Sequence, residues 1–321
     1  MEQHVPVLLA QAMEALAPAF EVDGWLIDCT VGLGGHAEAC LERLPRASLL
    51  AVDRDPQALE RSRRRLERFG ERVRYAAGPF GAVESLASRA GVTSGVRGVL
   101  ADLGVSSMQL DHAERGFSFA RDGPLDMRME GAESSAPSAA EIVNTYSEDA
   151  LTRIIRQYGE EPKARRIARA IVDERQQAPF ETTSRLAGLV ERLKPARHGR
   201  GRGPGRGAGR RIHPATQTFQ ALRIEVNQEL DELRALIDQA VRMLDQDGRL
   251  VMISYHSLED RIVKHGLRDL ATGEIEPITG RTRAETQVIE VLTKKPVRPS
   301  DDEVAANPRS RSARLRAARR L

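Results

Sequence analysis

The apolar positions of the chain follow two periods. Four short runs, Trp25–Cys29, Ser48–Asp53, Arg72–Ala76 and Val96–Asp102, are each followed by a helix-length spacer or loop. Runs of this length, bounded by turn residues, predict strands joined by crossover helices, and hence a mostly parallel sheet. Asp55-Pro56 predicts the start of one such helix, with Asp at the N-cap and Pro in the first turn. After Asp102 the alternation stops. Leu103–Gly131 reads as loop, and from Ser138 the period becomes helical. One helix opens at Ser147 and ends near Gly159, another opens at Pro162, and a third follows Thr183. From His213 a long amphipathic stripe, Phe219, Leu222, Val226, Leu230, Leu233, Ile237 and Leu244, predicts one continuous helix. Gly248–Ser254 is the fifth predicted strand, with Ser257 as N-cap of the helix after it, and Gln287–Leu292 closes the sheet.

The predicted organisation is a doubly wound, Rossmann-like α/β core in two parts, residues 1–110 and 213–321, interrupted by an all-helical insertion over 111–212. Ligands in such sheets bind beyond the carboxyl ends of the strands. Asp28, Asp53, Phe80 and Asp102 all fall at those ends. The turn Asp28–His36 carries Gly32, Gly34 and Gly35 between a strand and a helix, where a backbone without Cβ atoms comes close to a ligand. It fits both the acid-x-Gly-x-Gly pattern of S-adenosylmethionine (SAM) binders and a dinucleotide fingerprint. Asp53, 21 residues beyond Gly32, stands where an acid binds a ribose diol. No Gly-Lys-Ser/Thr follows the turn, which excludes a phosphate-loop NTPase.

Charge sharpens the picture. The net charge is only +3, yet residues 197–211 and 309–321 each hold six Arg and no acid. Two basic ribbons on an otherwise acidic body predict a polyanion partner, with solvated tails as the bland alternative. Two cysteines, Cys29 and Cys40, have no metal-type spacing, and no apolar run approaches membrane-spanning length. A reducing cytoplasm is the expected location, with no metal and no membrane partner.

Four blocks occur together and in order: Asp102–Gln109, Asp122–Met129, His213–Ile224 and Ser254–Arg261. On these the chain resembles the MraW (RsmH) family of bacterial methyltransferases acting on cytosine N4 of 16S ribosomal RNA, from His4 to Ser312. The resemblance implies a SAM-dependent methyltransferase fold with a helical insertion after strand four that faces RNA. It implies the small subunit decoding region as substrate and leaves room for a homodimer. It places Gly34, Gly35, His36, Asp53, Phe80, Asp102 and Gln109 around the cofactor. Asp102 and His256 become catalytic candidates, His256 for the departing proton and Asp102 either for the amine or, as the resemblance favours, wholly for SAM. Tyr255, His213 and Arg223 become substrate contacts. A buried loop-to-helix corner is the alternative for Tyr255 and His256. Met108, Glu130 and Gln217 depart from the family pattern, and at Gln217 that removes a basic side chain expected on phosphate. Two other classes stay open on the residues alone. One is an NAD(P)-dependent dehydrogenase, favoured by the glycine turn and Asp53. The other is a non-catalytic RNA-binding protein, favoured by the ribbons.

Overall fold

The computed structural model describes residues 6–194, 213–273 and 286–321. The Arg-rich stretch 197–211 lies outside them. Two compact units emerge, one from Met1–Gly104 with Leu230–Leu321, the other from Val105–Glu229.

The first unit is a seven-stranded sheet in the order β3-β2-β1-β4-β5-β7-β6. Its strands are β1 (Gly24–Asp28), β2 (Ala47–Asp53), β3 (Val73–Ala77), β4 (Val96–Asp102), β5 (Leu244–Ser254), β6 (Ile289–Val291) and β7 (Arg314–Arg320). Strands β1 to β5 run parallel. Strand β7 runs antiparallel to both β5 and β6. The order reverses between β1 and β4, so the crevice for a ligand opens at their carboxyl ends. Leu26, Ile27, Leu49, Leu50, Val99 and Leu100 are 0–1% exposed, as continuous apolar runs in a two-sided sheet require. Around them lie helices α1 (Leu9–Leu16), α2 (Gly35–Arg43), α3 (Pro56–Leu66) and α4 (Val83–Arg89). Asp55 Oδ1 accepts the Gln57 amide at 3.0 Å, and Pro56 opens α3, as the sequence predicts.

The basic C-terminus is not a free ribbon. Strand β7 sits inside the sheet, with Leu315, Ala317 and Ala318 each 1% exposed. Three of its four arginines face acids within the unit, and Arg320 donates to the Val288 carbonyl. Arg316 Nε donates to Asp260 Oδ1 at 2.8 Å, Arg314 reaches the other oxygen at 3.4 Å, and Arg319 pairs with Asp247 and Glu290. Arg314–Arg320 is therefore a strand of the core and not a free ribbon.

The second unit is helical: α5 (Ser107–Asp111), α6 (Ala139–Thr145), α7 (Glu148–Gln157), α8 (Ala164–Arg175), α9 (Thr183–Leu193) and α10 (Thr216–Asn227). Helix α5 falls in the stretch expected to be loop. Serines open α6 and α7 as N-caps, with a capping box between Ser138 and Glu141. The α9 cap is Thr182, one residue before the one expected. Phe180, Ile154, Ile167, Leu186 and Leu222 share one core with Phe117, Met127 and Met129.

The long helix expected from His213 is broken. Gln228 takes a left-handed conformation, φ 51°, ending α10, and α11 (Glu229–Met243) begins beside it. The apolar stripe is shared between two cores. Phe219, Leu222 and Val226 lie in the helical unit's core, whereas Leu233, Leu236, Ile237 and Ala240 lie in the sheet unit's. Each large side chain so buried contributes about 1.5–3 kcal/mol, enough to hold one non-glycine residue in an unfavourable conformation costing roughly 1–2 kcal/mol. Residues 213–229 thus belong to the helical unit, and the boundary expected at 212 moves accordingly.

Candidate cofactor site

The glycine turn after β1 is built as its residues require. Gly32 and Gly34 take φ of 51° and 78°, and Gly34 is the N-cap of α2. A Cβ on Gly35 would stand 2.6 Å from Pro6 Cγ, so the N-terminal segment lies directly on the turn and position 35 has no room for a side chain. Asp53 binds this turn to the end of β2. Its Oδ2 accepts the Gly32 amide at 2.9 Å and its Oδ1 accepts the Asp55 amide at 2.9 Å. Spacing alone assigns Asp53 no structural partner; the fold gives it two. Burial pushes its acid up to about 6, against the pull of those amides.

Three more groups converge from β1, β4 and α2. His36 is 7% exposed, with Nε2 3.0 Å from the Val7 carbonyl and Nδ1 3.7 Å from Asp102 Oδ2. A carbonyl brings no hydrogen, so Nε2 carries the proton and Nδ1 faces the carboxylate. Asp102 is fixed further by Tyr255, whose hydroxyl donates to Oδ1 at 2.8 Å, and by its own amide, which donates to Thr30 Oγ1 at 2.7 Å. Asp28, 2% exposed, is pushed up to about 7 by burial, with Asp102 and Asp53 adding repulsion while the Thr30 amide opposes them. Three carboxylates thus share one rim. Asp28 was expected at this rim as a strand-end acid, and Thr30 is the member the sequence reading left without a role. An acid ending an otherwise apolar strand four residues before Gly32 is the signal for Asp28.

Phe80 is half-buried in the short turn after β3, packed against the cluster of Ile27, Val52 and Val99. Tyr255 and His256 form a corner. The helix after β5, α12 (Ser257–Thr272), is capped not by Ser257 but by His256, whose Nδ1 accepts the Glu259 amide at 3.4 Å. Glu259 returns the contact by accepting the Tyr255 amide at 2.7 Å. An Nδ1 that accepts puts the neutral ring's hydrogen on Nε2. That nitrogen lies 3.1 Å from Glu259 Oε1, yet its orientation makes no hydrogen bond among the described residues. In this tautomer His256 offers a donor and not a base.

Gln109, His213 and Arg223 lie in the helical unit. Gln109 completes a capping box with Ser106 at the start of α5. The His213 ring lies 4.4 Å from that of Phe119, and its Nδ1 accepts the Ala215 amide. Arg223 forms a two-pronged pair with Glu229, 2.8 Å on each arm, with both side chains largely buried. Gln217, where a phosphate contact was in doubt, takes a hydrogen bond from Lys194 and gives one to the Glu160 carbonyl. Among the described residues no helix is long and apolar enough to cross a membrane.

A rim of acids suits a cationic ligand. An anionic pyrophosphate placed there would meet Asp53 and Asp102, whereas a nucleoside carrying positive charge would relieve the repulsion among the three acids. Residues 1–321 match the MraW methylase family profile. The ribosomal RNA small subunit methyltransferase H of Nitratidesulfovibrio vulgaris is 48% identical over 99% of this chain and 86% of its own. That of Parafrankia sp. is 47% identical over 99% and 94%. An rRNA methylase of known structure from Streptococcus thermophilus overlays with a TM-score of 0.42 at 11% identity, covering 97% of this chain and 95% of that one.

Proposed function

The chain belongs to the MraW methylase family, and from that premise we propose that it is a SAM-dependent methyltransferase acting on the N4 amine of a cytidine in 16S ribosomal RNA. The observation that carries the reading is the rim of Asp28, Asp53 and Asp102 around the glycine turn, at the point where the strand order reverses. The residues fit the cofactor by their chemistry. Gly32, Gly34 and Gly35 present bare backbone, Asp53 stands at the end of β2 to take ribose hydroxyls, and the clustered carboxylates favour a cation. When bound, SAM supplies a methyl group on a sulfonium.

The protein's own task is orientation. The cytosine amine shares its lone pair with the ring, so it is a poor nucleophile until an acceptor draws its hydrogens. Asp102 is such an acceptor, locked by Tyr255 and Thr30 and facing His36. His256 caps α12 beside Tyr255 and so holds the corner that presents the Tyr255 hydroxyl to Asp102. The target base must leave its stack to reach this rim. His213 and Arg223 in the helical unit, with the 197–211 arginines, are the groups we assign to RNA. Arg223 would do so through its neighbours, since Glu229 occupies its guanidinium. Location in the cytoplasm follows from such a substrate.

Titration calorimetry with SAM and with NADH tests the site. SAM binding that is lost in Asp53→Ala, with no NADH binding, supports the reading. The reverse preference restores the dehydrogenase, and no binding of either restores a non-catalytic RNA-binding protein.

A further inference from the structure

The N-terminal segment is held at the glycine turn by a residue from the far end of the chain. Glu303 lies on α13 (Asp301–Ala306), and its Oε1 accepts the Leu8 amide at 2.7 Å. The carbonyl of that same peptide group, on Val7, receives His36 Nε2–H at 3.0 Å. A peptide group is rigid and planar, so fixing its N–H fixes its C=O. Hydrogen bonds at both ends of one amide also polarise it, each strengthening the other. Leu8 is fully buried in a left-handed conformation, φ 53°, which a side chain disfavours. Something must hold it there, and the Glu303 carboxylate is the partner of its amide. Pro6, two residues earlier, lies against Gly35.

We infer that Glu303 is a positioning residue for the cofactor site: through the Val7–Leu8 peptide it sets the ring of His36, and hence which nitrogen faces Asp102. The carbonyl of Val7 commits the His36 hydrogen to Nε2, leaving Nδ1 opposite Asp102 Oδ2 at 3.7 Å. Glu303 also sits close enough to Tyr255 to act on its hydroxyl electrostatically, so the same carboxylate bears on both neighbours of Asp102. Nothing local in the sequence joins residues 295 positions apart, and the contact exists because β7 brings the C-terminal end back into the sheet. The cofactor consequence rests on the SAM reading above; the tautomer consequence does not.

The test uses the full chain. Nitrogen-15 NMR of the histidine rings, with His36 identified by its loss in His36→Gln, reports the tautomer without any ligand. The wild-type ring is expected to carry its hydrogen on Nε2, and Glu303→Gln, which keeps an acceptor, is expected to retain that signal. Glu303→Ala should shift it toward mixed tautomers and weaken SAM binding about tenfold, as loss of one hydrogen bond worth of alignment implies. Should the alanine variant not fold, Glu303→Asp withdraws the carboxylate by one methylene and carries the same expectation. An unchanged His36 signal in the folded variant overturns the inference, as does weakened SAM binding with the signal unmoved. A wild-type protein that binds no SAM overturns the cofactor reading instead, while the His36 signal still decides the role of Glu303.

Discussion

Tyr255 and Asp102 are 153 positions apart in sequence and 2.8 Å apart in space, the phenol donating to the carboxylate. Burial pushes the Tyr255 hydroxyl far above its ordinary range, and Asp102 adds to it by repulsion and by accepting its hydrogen. Tyr255 is therefore a fixed donor and not a base. Titrating tyrosinate absorbance to pH 11 should give the same amplitude for the wild type and for Tyr255→Phe. The variant should lose about 1.5–3 kcal/mol of stability, the net worth of one hydrogen bond to a carboxylate. A titrating tyrosine that vanishes in Tyr255→Phe would remove this assignment.

The buried acids give a pH dependence of definite sign. Asp28 rises from 3.8 to about 7 and Asp53 from 3.8 to about 6 on folding. A carboxyl raised on folding holds its proton more tightly in the native state. Its contribution to stability is complete below about 4 and is lost as the pH climbs toward 7. At about 1.4 kcal/mol per pH unit of difference, Asp28 alone accounts for up to roughly 4 kcal/mol. Ligand-free protein should lose stability in denaturant melts between pH 4.5 and 7.5, and Asp28→Asn should flatten that slope. An Asp28→Asn melt that keeps the wild-type slope would show that Asp28 ionises normally.

Asp53 closes the glycine turn as well as facing the ligand. Asp53→Ala leaves the Gly32 and Asp55 amides without their acceptor. It should cost about 1–3 kcal/mol even in the absence of cofactor, and Asp53→Asn, which keeps one acceptor oxygen, should cost less. Equal melting curves for the alanine variant and the wild type would mean that these bonds do not hold the turn.

Removing residues 314–321 tests whether the basic end is structural. The deletion takes out β7, which separates β5 from β6. Circular dichroism should show a chain that no longer melts cooperatively. Full-length Arg316→Ala should lose about 1.5–3 kcal/mol, since Asp260 then keeps only its longer contact to Arg314. A truncated chain with wild-type melting would return this stretch to the role of a free basic tail.

How much of this was legible depended on where the information lay. Strands β1, β2 and β4 are continuous apolar runs, and the acids ending them mark the rim from sequence alone. Strand β7 was hidden because four of its seven residues are arginine. Its partners Asp260, Asp247 and Glu290 come from other elements, so no local pattern announces a buried strand. The break at Gln228 lacked the usual glycine or proline, because the demand for it comes from two separate cores drawing on one stripe. His256 is an unusual cap, and Ser257 beside it is the residue type that helix starts favour. At the site, Asp53 and Asp102 were readable as strand-end acids. The amides, the phenol and the Val7 carbonyl that hold them were not, because those contacts form only when distant segments meet.

The central claim is methylation of a ribosomal cytidine by this protein. Nucleoside mass spectrometry of 16S ribosomal RNA from cells with and without the gene measures it directly. N4-methylated cytidine should disappear from the deletion strain, return with the wild-type gene and stay absent with Asp53→Ala. An unchanged content of that nucleoside in the deletion strain would contradict the account.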